Sequence, residues 1–202
     1  MRKISDIKQY DIIKSAIDVF SQKGFEQASM EGISKHAGVS KRTLYKYYPN
    51  KDALFEVIID KMMCRFDEQF DRKFESSVSL ATQLTDMTLE KMAYINTEEF
   101  QTTARLVMVE CIRCPKASDL LMSKFNALED SYGLNQWVEQ GIAAGALQIN
   151  NIPMAIDQFI GSIKSIVFWP QLLAHQPPAS RELLKAAVES AAESFVACHQ
   201  VK

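Results

Sequence analysis

From Ser40 to Tyr47 the chain reads Ser-Lys-Arg-Thr-Leu-Tyr-Lys-Tyr, and only Leu44 in that run is plainly apolar. A helix that buries a face needs about three apolar positions per two turns, so this one must present itself to something other than a protein core. Between Lys35 and Lys51 stand five basic residues (Lys35, Lys41, Arg42, Lys46, Lys51) and no acidic ones. Ammonium and guanidinium groups interleaved with hydroxyls and phenols suit phosphate oxygens, and Arg or Lys also reaches guanine O6 and N7 in a major groove. Ser29, Ser40, Lys41, Arg42, Thr43, Tyr45, Lys46, Tyr47 and Lys51 are therefore the candidate DNA-contacting residues.

Short helices must position those side chains. A first helix is expected over Asp6 to Lys23, with Ile13, Ala16, Ile17 and Phe20 on one buried face, Gly24 stopping it and Phe25 folding back over its end. Ser29 is placed to cap a second helix over Met30 to Ala37, with Glu31 in the first turn, where the helix dipole favours a carboxylate. Gly38 ends that helix and Ser40 caps a third, which Pro49 confines to a short length by forcing Tyr48 out of helical geometry. Asn50 then caps a fourth. Helix, glycine turn, helix is the helix-turn-helix layout, here over about residues 29–48, in which the second helix enters the groove by its N-terminal end. Ile33, Ala37, Val39 and Leu44 are the expected wedge that fixes the angle between the two helices.

The charge distribution agrees with a polyanion at one end. Net charge over 202 residues is −2, but residues 1–55 carry +4 and residues 56–202 carry −6. The N-terminal residues resemble no secretory leader, and no apolar run is long enough to span a membrane, so a cytoplasmic protein is expected, working at the bacterial nucleoid. Cys64, Cys111, Cys114 and Cys198 are expected as reduced thiols in that compartment.

The run AIDVFSQKGFEQASMEGISKHAGVSKRTLYKYYPNKDALF resembles the N-terminal signature of the TetR/AcrR family of bacterial transcriptional regulators, without gaps from about Ile12 to Phe55. The resemblance rests on Phe20, Gly24-Phe25, Ile33, Ala37-Gly38-Val39-Ser40, Thr43-Leu44-Tyr45 and Tyr48 through Leu54. Two positions depart from it: Arg42 stands where the family usually has a small residue, and Tyr48 where it usually has Phe. The resemblance implies an all-helical dimer with a small-molecule pocket in each larger C-terminal domain.

The rest of the chain is compatible with that expectation. Leu54, Ile58, Met62, Phe66, Phe70 and Phe74 recur every four residues, which predicts one long helix from Lys51 to about Phe74 leading from head to body. Further helices are predicted over 80–95, 98–112, 117–140, 153–173 and 181–199, with no sustained strand-like alternation. The fold expected is all-α, with a three-helix N-terminal helix-turn-helix domain (residues 1–52) and a larger ligand-binding and dimerisation domain (residues 53–202). In the last two helices, Phe159, Ile163, Val167, Leu184, Ala187, Val188, Ala191 and Phe195 are the candidates for a helical dimer interface. Met87, Tyr94, Met108, Phe125, Trp137 and Phe159 are the candidates for the wall of a hydrophobic ligand pocket. No charged residue stands out within an apolar face, so a strongly ionic ligand is not indicated.

Other chemistries are poorly supplied. Cys111 and Cys114 have C-x-x-C spacing at a helix end, compatible with a thiol sensor, yet no second pair is near, and His36, His175 and His199 are far off in sequence. A phosphate-binding glycine loop, H-E-x-x-H and G-x-S-x-G are all missing, so no enzyme, metal or cofactor is expected. The expected function is a ligand-responsive repressor that binds a palindromic operator as a homodimer and is released by a small hydrophobic molecule. A ligand-independent activator, a global regulator or a chromosome-associated scaffold of the same fold is the alternative.

Overall fold

A computed structural model describes residues 4–64, 73–127 and 133–201. Among them are eleven helices: α1 (Ile4–Lys23), α2 (Met30–His36), α3 (Lys41–Tyr47), α4 (Lys51–Met63), α5 (Leu80–Ile95), α6 (Glu98–Arg113), α7 (Pro115–Asn126), α8 (Leu134–Ala143), α9 (Ile152–Val167), α10 (Trp169–Ala174) and α11 (Arg181–His199). The described residues form no strand, only an isolated bridge between Leu147 and Gln200. The fold is all-α, as the periodicity predicts.

The chain divides into two compact units, Met1–Cys64 with Thr102–Asn126 and Arg65–Gln101 with Ala127–Lys202. This partition differs from a cut after residue 52, because α4 stays whole with α1 to α3, and the C-terminal part of α6 and all of α7 join them.

In the first unit, α1 turns Ile12, Ile13, Ala16, Val19 and Phe20 inward, and packs on α2 and α4. Gly24 (φ +77°) ends α1 in the left-handed region, where a side chain would be strained, and its N–H donates to the Phe20 carbonyl at 2.8 Å. The Phe25 ring sits 5.1 Å from Phe20 and 5.4 Å from Phe55, joining α1 to α4 through the turn. On the other side of α4 lies α7, whose Lys124 ammonium reaches Asp60 at 2.7 Å and Glu56 at 3.4 Å.

The long helix predicted to Phe74 is shorter. Helix α4 ends at Met63; positions 66 and 70 lie outside the described residues, and Phe74 belongs to the second unit and to no helix. There its N–H donates to Gln140 Oε1 at 2.7 Å and its ring lies 5.9 Å from Trp137. The four-residue repeat that suggested a continuous helix reflects, at Phe74, a ring packed into a different core.

In the second unit, α11 packs on both α5 and α9, and the small inward residues Ala187, Ala191 and Ala192 permit close approach. Asn96 fastens the end of α5 to the segment before α11 with a reciprocal pair: Nδ2 donates to the Ala179 carbonyl at 2.8 Å, and the Ala179 N–H donates to Oδ1 at 2.7 Å. Two predicted helices are each broken in two. The span 117–140 gives α7 and α8, with Gly133 (φ +69°) in left-handed geometry before Leu134. The span 153–173 gives α9 and α10, because Pro170 has no N–H to donate to the Ile166 carbonyl. Gln171 Nε2 donates to that carbonyl instead, at 3.3 Å.

Candidate nucleic-acid interface

Local hydrogen bonds build α3. Ser40 Oγ accepts from the Thr43 N–H at 3.1 Å and shares a 2.8 Å hydrogen bond with Thr43 Oγ1, so the two hydroxyls close the first turn together. Ser29 does the same for α2, accepting from the Gly32 N–H at 3.1 Å, and Asn50 Oδ1 for α4, accepting from the Ala53 N–H at 2.8 Å. Gly38 (φ +64°) turns the chain between α2 and α3. Ile33 and Leu44 are fully buried and hold the angle between the helices, while Ala37 and Val39 are half-buried at its edge. Tyr48 follows in extended geometry, buried, and burial pushes its phenol pKa up.

With Leu44 anchored inward, most of the remaining α3 side chains are exposed. Lys41, Arg42, Tyr45 and Lys46 are exposed, and Thr43 and Tyr47 are half-buried. The Lys46 ammonium lies 5.7 Å from the centroid of the Tyr47 ring. Lys41 reaches Glu31 at 2.9 Å, but both side chains are more than half exposed. An exposed pair of this kind contributes at most about 1 kcal/mol, so giving it up for a phosphate costs little. His36 lies 3.4 Å from Asp18 on the neighbouring helix.

Lys51 is placed differently from the expectation. Its ammonium donates to the carbonyls of Phe25 at 2.7 Å and Glu26 at 3.0 Å and lies 4.9 Å from the Phe25 ring centroid. It ties the α1–α2 turn to the start of α4.

The predicted interface group is not a surface. Phe159, Ile163, Val167, Leu184, Ala187, Val188, Ala191 and Phe195 are each at most 8 % exposed, packed by helices of the same chain, with Phe159 and Phe195 rings 5.6 Å apart. They form core, and an interface with a second copy on α9 and α11 has to use the opposite side of those helices. Of the pocket candidates, Met87, Tyr94, Trp137 and Phe159 belong to the second unit and Met108 and Phe125 to the first. Trp137 is fully buried with its indole N–H donated to Gln83 Oε1 at 3.0 Å, so its polar handle is already used. Phe125 is exposed. A polar groove of about 420 Å³ at the N-terminus of α9, lined by Gln148, Asn151, Gln158 and Cys198 among others, includes none of the six.

Sequence reasoning missed a charge. Lys91 lies within the buried stripe of α5 between Leu84 and Ile95 and is only 4 % exposed. Its spacing of seven from Leu84 and four from Ile95 was the available signal. Cys111 and Cys114 are half-buried where α6 gives way to α7, and burial pushes the Cys111 thiol pKa up, which makes it a poorer nucleophile. No group of three His, Cys, Asp or Glu capable of holding a metal occurs among the described residues, and none of their helices is long and apolar enough to cross a membrane.

A capped, exposed, basic helix set on a glycine turn, followed by a larger helical body, defines a helix-turn-helix DNA-binding protein. Comparison with known proteins agrees. Residues 12–58 match the bacterial regulatory proteins of the tetR family, and residues 82–201 match the C-terminal domain of AefR-like transcriptional repressors. The chain belongs to the TetR family of transcriptional regulators. It is 29 % identical over 119 residues to the HTH-type transcriptional regulator UidR of Escherichia coli K12, a match covering 56 % of each protein. The chain thus spans about half the length of that curated relative. A TetR-family regulator from Pseudomonas syringae superimposes with a TM-score of 0.84 at 27 % identity, covering 96 % of this chain and 97 % of that one. The flavonoid-responsive regulator FrrA superimposes with a TM-score of 0.72 at 25 % identity, covering 98 % and 99 %. These relatives are named as regulators, not enzymes.

Proposed function

We propose that the chain is a ligand-responsive repressor, which binds a palindromic operator as a homodimer and releases it when a small, largely apolar molecule occupies the C-terminal domain. The observation that carries the reading is the outward face of α3, where Lys41, Arg42, Tyr45 and Lys46 are exposed on a helix anchored by Leu44. Ser29, Thr43 and Tyr47 flank that face. A single seven-residue helix reads too little sequence to be selective, and a two-fold pair reading successive major grooves doubles the sequence read.

The outer side of α9 and α11 supports the pairing. Met154 and Ile166 on α9 and Leu183 on α11 are exposed, and a Cβ built on Gly161 would meet nothing within 4 Å, so another helix can approach closely. Responsiveness fits the likeness to FrrA, a regulator described as flavonoid-responsive. A ligand releases DNA only by binding the DNA-incompetent state more tightly, and a difference of about 1–3 kcal/mol suffices.

The test uses a palindrome selected by the unaltered protein from a pool of random duplexes. Lys41→Ala and Tyr45→Ala each remove an exposed side chain present twice per dimer, at about 1–3 kcal/mol for each DNA interaction, so operator retention falls at least about tenfold. Helicity and dimer mass stay unchanged. Normal retardation by both variants would show that α3 is not the reading helix.

A further inference from the structure

Among the described residues Lys91 is the most deeply buried cation of the second unit, 4 % exposed in the middle of α5, and nothing in the DNA-binding reading uses it. Lysine is almost never fully buried without an anion or dipole to answer its charge. One turn earlier on the same face is Thr88, 2 % exposed. Its hydroxyl has no hydrogen-bond partner among the described residues, although a helical threonine ordinarily bonds back to a carbonyl of the preceding turn. Residues three apart on a helix are neighbours, so Thr88 and Lys91 share one buried face of α5. Leu84, Met87 and Met92 are the buried apolar, partly flexible residues beside them on the same helix.

We propose that Lys91 and Thr88 are the polar end of the effector site, and that the effector is an apolar molecule carrying a carboxylate. The inference rests on the ligand-responsive reading. Lys91 is engaged within the chain, and an ammonium has three donors, so a ligand oxygen can be held beside a partner in the chain. The second carboxylate oxygen accepts a hydrogen bond from the Thr88 hydroxyl, which supplies the missing partner. An alcohol of the same shape offers no charge to the ammonium, and a cationic ligand is repelled by it. The ionic end that the apolar composition of these helices argues against is thereby restored at a single point.

The experiment compares dodecanoate and naphthoate with dodecanol and naphthylmethanol, on the full chain, by thermal shift and by retention of the selected operator. Expected are stabilisation by the acids well above that by the alcohols, and loss of that preference in Lys91→Met. Because Lys91→Met removes a group that is engaged in the chain, Thr88→Val, which keeps the shape, is measured beside it. Each variant weakens acid binding, Lys91→Met by at least about tenfold, as for loss of a charge-assisted hydrogen bond. Alcohols that bind as tightly as the acids overturn the proposal, as do acids that do not bind, or both variants binding acids normally. Acids that bind with the expected preference but leave the operator retained uphold the carboxylate site and refute ligand-released repression. Alcohols that release the operator while acids do not have the opposite meaning.

Discussion

Glu110, in the last turn of α6, is 5 % exposed, an expensive setting for a carboxylate. Burial pushes its pKa up, the charge of Glu26 adds to that, Arg113 and Lys51 pull it down, and Asp52 pushes it up again. A carboxyl with a folded-state pKa above the ordinary glutamate value of 4.5 binds more protons folded than unfolded between the two values. Its contribution to stability is therefore fully present below that ordinary value and is lost as pH rises through the folded one. Glu110→Gln abolishes the loss: its unfolding midpoint should exceed that of the parent at neutral pH and coincide with it at pH values below the ordinary glutamate range. Equal displacement at both pH values would mean that packing, not ionisation, governs the site. Lys51 illustrates what residue type alone does not reveal. Its place in a basic run suggested an anion partner, yet two carbonyls, Phe25 and Glu26, hold its ammonium against the α1–α2 turn. Carbonyl positions depend on the chain some twenty-five residues away, and no local pattern records them.

Helices α2 and α3 were legible to within a residue because their boundaries are set by their own sequence: Ser29 and Ser40 cap, Gly38 takes positive φ, Pro49 stops. Breaks that depend on packing were not legible. Pro170 was visible, but that Gln171 would take over the Ile166 carbonyl and let α10 begin at once was not. The apolar positions of α9 and α11 are buried within the chain, where α11 packs on α5 and on α9, and a stripe buried by the same chain reads like one buried by a second chain. At this scale the decisive feature is the Asn96 clamp. Asn96→Ala removes a donor and an acceptor and leaves the Ala179 N–H and carbonyl without them, at a cost of about 2–4 kcal/mol for two part-buried hydrogen bonds. Chemical denaturation should show that loss with the slope unchanged. A loss below about 0.5 kcal/mol would mean that water replaces the side chain and that α5 and α11 are held by apolar packing alone.

Across the whole molecule the division of charge matters more than its sum. An acidic body of −6 keeps non-specific attraction to nucleic acid low, while the +4 of the first 55 residues concentrates attraction at the reading end. With Lys51 bound to carbonyls and Lys41 held only by an exposed pair, Lys41, Arg42 and Lys46 are the cations of α3 available to phosphate. In a homodimer they would neutralise about six phosphates, and each contributes about −0.9 to the slope of log affinity against log salt concentration. The slope for the selected operator should therefore be about −5. Arg42 tests whether an individual cation reads bases or only grips the backbone, since the family usually places a small residue there. If Arg42 grips phosphate, Arg42→Ala makes the slope shallower by about 2, because one phosphate in each half-site is no longer neutralised, and weakens all duplexes alike. If it reads guanine, the slope changes little while discrimination at one position of each half-site falls by about 1–3 kcal/mol. An Arg42→Ala protein with the parent slope and the parent sequence preference would place Arg42 off the DNA, and the operator would then be read through Lys41, Tyr45 and Lys46 alone.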